Sequence, residues 1–331
     1  MRAWHAVRAG EPREALEQAD AALGAPPPGF LRVRVAACAL GLPDVFLCRG
    51  SYALTPKRPF TPGQELAGTV LEAGEGARTP VGARVMAVSG FFVGHGGCAE
   101  EAWALDDFCF PVPEDMGDDE AAAFLIPYHT AWIGLLRRGA LRAGETLLVL
   151  GGAGGTGSAA IQLGAAVGAR VIATARGAER AAFCRELGAE TVVDPGVANL
   201  GEALREATGG EGAHVVYDTV GGDAFEAATR AIAHEGRLLL VGFASGRWGR
   251  PDPAHLVTHN YSLVGVIPSA YGRETKREAQ AELLAHRARG ALRVPLEAPA
   301  PFDALPDALE RLARREVLGK LVLRVAPGDA S

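Results

Sequence analysis

The stretch from Leu147 to Gly157, read as Leu147-Leu148-Val149-Leu150-Gly151-Gly152-Ala153-Gly154-Gly155-Thr156-Gly157, restricts the fold of this chain more than any other. Four consecutive aliphatic residues bounded by glycine predict a strand buried on both faces of a parallel sheet. The pattern Gly152-x-Gly154-x-x-Gly157 follows at once, and the alanine-rich run from Ser158 to Val167 predicts a helix packed closely on that sheet. In such a strand–turn–helix unit the glycines allow a tight turn, backbone approach to a pyrophosphate and close helix-to-strand packing. The phosphates then lie at the positive end of the helix.

The next strand decides which dinucleotide fits. Arg170-Val171-Ile172-Ala173-Thr174-Ala175 reads as that strand, and no Asp or Glu stands at its end to take the ribose hydroxyls. The chain continues instead with Arg176-Gly177-Ala178-Glu179-Arg180, small residues with two guanidinium groups suited to a 2′-phosphate. NADP(H) is therefore expected over NAD(H).

A chain of 331 residues is long for one core and suits two domains. With 48% hydrophobic and 22% charged residues it has the composition of a folded chain, with disorder expected only around Pro27 and in the last few residues. The net charge of −6 gives no general attraction to nucleic acid or to anionic membranes, so any anion site has to be built locally. No apolar run approaches the ~20 residues that span a bilayer, and no apolar signal segment opens the chain, so a cytoplasmic location is expected. Cys38, Cys48, Cys98, Cys109 and Cys184 form no C-x-x-C pair, which argues against a disulfide framework and against a structural zinc site.

In chain order, residues 1 to about 120 read as mainly β. Leu31–Ala36, Leu66–Gly74 and Ala83–Val88 are strand-like runs separated by glycine and proline turns, as in a partly open barrel. Asp44 to Tyr52, with Pro56, Pro59 and Pro62 beyond it, reads as a long irregular segment able to carry a site. From Asp118 the pattern becomes helical, first up to Pro127 and then again from Thr130 to Arg138. Repeated strand–helix units follow, with strands at Thr191–Asp194, His214–Asp218 and Arg237–Gly242. Together they predict a Rossmann-like, doubly wound parallel α/β sheet whose ligand lies over the carboxyl ends of its strands. The strand Leu263–Ile267, two amphipathic helices and the strand Gly319–Val325 are expected to complete the β domain. The expected domains are thus 1–120 and 263–331 for the catalytic domain and 121–262 for the NADP-binding domain, with substrate in the cleft between them.

Five motifs in this order resemble one family. They are Ala37-Cys38-Ala39-Leu40-Gly41-Leu42-Pro43-Asp44 with Arg49-Gly50-Ser51-Tyr52, then Pro62-Gly63-Gln64-Glu65-Leu66-Ala67-Gly68, Ala153-Gly154-Gly155-Thr156-Gly157, Tyr217-Asp218-Thr219-Val220-Gly221-Gly222, and Gly242-Phe243-Ala244-Ser245-Gly246. Over nearly its whole length the chain resembles the medium-chain dehydrogenase/reductases, and among them the zinc-free quinone oxidoreductases related to zeta-crystallin. The resemblance implies a GroES-like β-barrel catalytic domain in two pieces, a Rossmann-like domain between them, and a homodimer.

It also implies an absence. Where zinc-dependent relatives carry a Cys and a His ligand, this chain has Gly41 and Gln64; glycine cannot ligate and an amide is a poor zinc ligand. Cys38 and His95 have no partners at ligand spacing, so no metal is expected. Many relatives carry Asn at Gly41, where the amide contacts the nicotinamide region, and glycine removes that polar group and opens space.

The implied reaction is hydride transfer from NADPH to a quinone or an α,β-unsaturated carbonyl. Tyr52, Tyr128 and Thr130 are the candidates for proton donation or carbonyl binding. Tyr52 is favoured because it matches a family tyrosine facing the nicotinamide, and His129 reads as a helix-surface residue. Candidate cofactor contacts are Gly152, Ala153, Gly154, Gly155, Thr156, Gly157, Thr174, Arg176, Arg180, Val220, Gly242, Phe243, Ala244, Val266 and Lys320. The substrate pocket is expected from loops around Tyr52, Phe91, Phe92, Tyr128 and Tyr271. Two other readings stay open: an enoyl thioester reductase with Arg247 and Arg250 near its channel, and a binding protein that uses NADPH as a structural ligand.

Overall fold

The structure is a computed structural model that describes residues 1–325, so the disorder expected for the last few residues lies outside the described residues. The chain divides into two units, Met1–Ile126 with the segment from Val294 onward, and Pro127–Arg293.

The first unit opens with a hairpin in which β1 (Arg2–Ala6) pairs antiparallel with β2 (Leu16–Asp20). Then β3 (Phe30–Leu40), β4 (Glu65–Ala73), β5 (Arg84–Ser89) and β6 (Glu101–Pro111) pair antiparallel in succession. Because β6 also pairs with β3, from Phe30↔Leu105 to Arg34↔Glu101, the four strands close on one another as a small barrel. Closure leaves no free edge among them, and alternate side chains of β3 fill the interior.

The second unit holds six parallel strands: β7 (Thr146–Leu150), β8 (Arg170–Thr174), β9 (Thr191–Val193), β10 (Ala213–Asp218), β11 (Ile232–Leu240) and β12 (Ser262–Gly265), in the order β12-β11-β10-β7-β8-β9. All five residues of β7 are buried, as its unbroken aliphatic run predicts. Leu148, Leu150, Ile172, Val216, Phe225 and Leu238 lie in the core of this sheet. The strand order runs outward in both directions from β7 and β10, so the end of β7 lies at the topological switch point where ligands of such sheets bind. The short β13 (Ala300–Pro301) and β14 (Leu321–Arg324) return to the first unit, with Leu321 of β14 opposite Leu40 of β3.

Several sequence expectations are corrected. The segment after residue 262 does not go back to the β domain: β12 pairs parallel with β11, from Arg237↔Ser262 to Leu240↔Gly265, and the helix Arg273–Ala288 stays in the same unit. The division therefore falls after Arg293 rather than at 262. A short apolar run carries the signal for a strand but not for the sheet it joins. Pro127 does not end a helix either; one helix runs from Asp118 to Trp132 through it and continues as a π-helical segment, Ile133–Arg138. The proline's missing N–H costs that helix a single internal hydrogen bond. Leu42–Arg49 is a helix rather than an irregular segment: Asp44 accepts the Gly41 amide proton at its start, and Gly50 closes it in the left-handed region. The Pro27 loop is pinned, with Phe30 N–H donating to Pro27 O at 3.0 Å and Gly29 N–H to Glu75 O at 2.9 Å.

Candidate functional site

In the second unit β7 ends in the turn Gly151–Gly154, and a helix begins at Gly155 and runs to Ala166. A side chain on Gly157 would place Cβ 2.2 Å from Gly151 O, so this position keeps helix and strand in close approach. At Gly154, by contrast, a Cβ would meet nothing nearer than Gly151 O at 3.7 Å. The first-turn N–H groups of Gly155, Thr156 and Gly157 therefore sit at a helix start with an open face, and Ala153 is buried beneath it. A pyrophosphate fits these residues.

Thr174, at the end of β8, holds this turn: its Oγ1 accepts the Gly151 N–H at 3.0 Å and its carbonyl accepts the Gly152 N–H at 3.0 Å. Arg176 is exposed one residue beyond Ala175, and Arg180 lies half-buried in the helix Ala178–Glu186. Gly177 between them has φ 82°, the left-handed region that favours glycine. Its N–H donates to Asp194 Oδ2 at 2.9 Å. That acid escaped sequence reasoning because it follows β9, not β8. The amides of Gly177 and Gly196, with the Arg176 charge, hold its carboxyl below the usual range.

The loop after β10 closes over the same turn. A Cβ on Gly151 would lie 2.9 Å from both Thr219 Oγ1 and Val220 Cγ2. Thr219 Oγ1 donates to Leu150 O at 2.8 Å, and Ala244 N–H to Thr219 O at 3.0 Å, which brings Gly242, Phe243 and Ala244 beside Val220. Buried Asp218 shapes the loop by accepting the N–H groups of Val220 and Gly221, both at 2.8 Å, while burial raises its pKa to about 6. Val266 lies just past β12, its N–H on Leu240 O at 3.0 Å.

Tyr128 is placed differently from its expected role. It is 1% exposed, its hydroxyl donates to Arg293 O at 2.5 Å, and it accepts from Gln162 Nε2 at 3.0 Å. The proton is committed inside the fold, so Tyr128 is not a proton donor here and forms no pocket loop. His129 is not on the surface either: it is fully buried, 2.8 Å from Gln280 Oε1, and burial lowers its pKa to about 4. Thr130 is buried on the same helix. Arg247 pairs with Asp223 at 3.0 Å on an exposed loop.

In the first unit a buried carboxylate organises the rest. Asp44 accepts from Gly41 N–H through Oδ2 and from Gly63 N–H through Oδ1, both at 2.9 Å. Burial raises its pKa to about 6 against these two donors and the Lys320 charge. Gln64, next to Gly63, is buried with its Nε2 unpartnered, and burial raises the pKa of the half-buried Tyr52. Lys320 belongs to this unit and is ion-paired with buried Glu65, which also accepts the Ile126 N–H at 2.8 Å. Sequence reasoning placed Lys320 on the cofactor and missed this partner. Cys38 Sγ and Cys98 Sγ are 3.9 Å apart, and His95 packs against Trp103 with ring centroids 4.1 Å apart and planes tilted by 54°. Among the described residues no group of three or more His, Cys, Asp or Glu side chains could hold a metal ion, and no helix is long and apolar enough to cross a membrane.

A barrel of this type, joined in one chain to a parallel sheet with a glycine turn at its switch point, defines the medium-chain dehydrogenase/reductases. Residues 27–114 match the alcohol dehydrogenase GroES-like domain, and residues 155–285 match the zinc-binding dehydrogenase family. The chain is similar to a quinone oxidoreductase-like protein 2 homolog of Nematostella vectensis, with 34% identity over 299 residues covering 88% of this chain and 81% of the relative. It is also similar to the crystal structure of a probable oxidoreductase from Mycobacterium abscessus (38% identity, TM-score 0.85, 98% of both chains). Escherichia coli quinone oxidoreductase, solved in complex with NADPH, matches at 27% identity and TM-score 0.89, over 98% of this chain and all of that one. The chain belongs to the zinc-free quinone oxidoreductase family of the medium-chain dehydrogenase/reductases and is an oxidoreductase.

Proposed function

We propose that the protein binds NADPH and reduces a quinone or an α,β-unsaturated carbonyl without a metal ion. The observation that carries this reading is the open helix start at Gly154–Gly157 next to a turn that bears Arg176 and Arg180 but no acid on β8 itself. The helix amides take the pyrophosphate, and the two guanidinium groups take the 2′-phosphate. NADPH, when bound, supplies a hydride. Tyr52 holds the acceptor's carbonyl oxygen and returns a proton to it, so a quinone gains one hydride and one proton and leaves as the hydroquinone. Gly41 and Gln64 replace the ligands of zinc-dependent relatives, so hydrogen bonding takes over the work of a Lewis acid. The NADPH complex of the Escherichia coli relative supports the cofactor, and the names of the relatives support the acceptor class.

The same reading makes the protein a homodimer, supported by β12 at the edge of its sheet, and cytoplasmic, supported by five free buried thiols.

Titration with NADPH and NADH, followed by quenching of tryptophan fluorescence, tests the cofactor. Wild type should prefer NADPH, and Arg176→Ala with Arg180→Ala should weaken NADPH by at least about tenfold while barely changing NADH. Turnover with 1,4-benzoquinone, 9,10-phenanthrenequinone and a simple enone tests the acceptor. Equal or tighter binding of NADH would overturn the cofactor assignment, and absence of turnover with all three would overturn the substrate class.

A further inference from the structure

Arg176 and Arg180 stand on the turn that follows β8, and a turn presents two guanidinium groups to one phosphate only if its own backbone is fixed. Its start is tied to the glycine turn by Thr174, whose Oγ1 accepts the Gly151 N–H and whose carbonyl accepts the Gly152 N–H, both at 3.0 Å. The parallel pairing of β8 with β9 ends at Thr174↔Val193, and Ala175 N–H donates to Val193 O at 3.1 Å. Beyond that point a side chain makes the tie: Gly177 N–H donates to Asp194 Oδ2 at 2.9 Å.

The other oxygen of Asp194 fixes the carboxylate itself. Oδ1 accepts the Gly196 N–H at 2.7 Å, a local turn of the kind Asp makes with the backbone two residues on. With Oδ1 held in its own loop, Oδ2 is aimed across 17 residues of chain at Gly177. Gly177 has φ 82° and ψ 163°, a backbone shape that other residues adopt only with strain. Its carbonyl accepts the Ala181 N–H at 3.1 Å, in the first turn of the helix that bears Arg180. The turn between the two arginines is thus held at one end by Thr174 and at the other by Asp194.

An acid beside the ribose of a dinucleotide ordinarily takes its hydroxyls and repels a 2′-phosphate. Asp194 has each oxygen on a backbone amide instead. We propose that Asp194 is a positioning residue for the choice of cofactor: by bridging the Gly177 and Gly196 N–H groups it holds the turn in the shape that brings Arg176 and Arg180 onto one 2′-phosphate. This rests on the reading of those arginines as the 2′-phosphate site. The sign of the effect separates it from bare charge. A carboxylate acting only through its charge would repel the phosphate, and its removal would tighten NADPH. A carboxylate that holds the turn makes NADPH bind more weakly when it is removed.

Fluorescence titration with both dinucleotides tests this. In Asp194→Ala, NADPH should bind about five- to tenfold more weakly and NADH should change less than about twofold; in the Arg176→Ala, Arg180→Ala background the same substitution should cost NADPH less than about twofold, because residues acting through one another are not additive. Asp194→Asn, which removes the charge and keeps one acceptor oxygen, should weaken NADPH by less than the alanine variant does. A general loss of structure would weaken both dinucleotides alike. A second readout needs no cofactor: backbone amides of residues 175–180 should exchange their hydrogens at least about fivefold faster in Asp194→Ala than in wild type. Tighter NADPH in either variant, equal losses for NADPH and NADH, or unmoved exchange would overturn the proposal. If wild type does not prefer NADPH, the proposed function falls, and the exchange rates still decide whether Asp194 holds the turn.

Discussion

Thr174 Oγ1 accepts the Gly151 amide proton at 3.0 Å and so ties the end of β8 to the first residue after β7. Thr174 is 4% exposed, so no water replaces the bond when the hydroxyl is removed. Thr174→Val keeps the shape and should destabilise the protein by about 1–2 kcal/mol in urea unfolding, with Thr174→Ser close to wild type. NADPH binding should weaken in the valine variant as the turn loosens. A valine variant as stable as wild type would remove this hydrogen bond from the account.

Two glycines of the same turn should respond in opposite ways. In Gly157→Ala the new methyl stands 2.2 Å from a backbone oxygen, and helix and strand must separate. A loss of stability of about 2 kcal/mol or more is expected. Gly154→Ala meets only open space on a backbone at φ −84° that alanine adopts without strain, so its Tm should stay near wild type. Yet the methyl occupies the face where phosphate would sit, and NADPH affinity should drop at least about tenfold. Thermal melts with and without NADPH separate the two effects.

His129 predicts a pH dependence of stability. Its folded pKa is depressed to about 4 from 6.5, chiefly by burial, so the native state favours the neutral ring. Its contribution is complete above pH 6.5 and is lost as the pH falls toward 4, by up to ~3 kcal/mol. Asp44 and Asp218 act oppositely. With folded values raised to about 6 from 3.8, they favour the native state more as the pH falls across that window. Denaturant unfolding from pH 7 to pH 4 should therefore show His129→Gln losing less stability than wild type. Parallel curves for the two proteins would contradict a buried neutral His129.

A dimer built through β12 would give a particle of twice 34.4 kDa on gel filtration. Ile267, just beyond that strand, is 54% exposed, and Ile267→Asp should shift elution toward the monomer mass at micromolar concentration. Wild type eluting as a monomer would end the idea.

The stretch Leu147–Gly157 was legible without any structure, because period, glycine spacing and helix-forming alanines are local properties that all point to one strand–turn–helix unit. The alternation of apolar residues in β3 was legible for the same reason. Sheet membership was not. The run after residue 262 reads as a strand in either unit, and only its parallel pairing with β11 assigns it. Tyr128 has the chemistry of a proton donor, but a proline-tolerant helix buries it and its hydroxyl donates a hydrogen bond to Arg293 O. Asp194 lies 17 residues from Gly177 along the chain yet accepts its amide proton, a pairing set by two adjacent parallel strands. Sequence by itself determined the strand–turn–helix unit at Leu147–Gly157, the alternating strands and the chemistry their residues carry, since those depend on neighbours along the chain. Only the tertiary structure decided which protons are free, which carboxylates are buried and which side chains meet, because burial and hydrogen-bond partnership depend on neighbours in space.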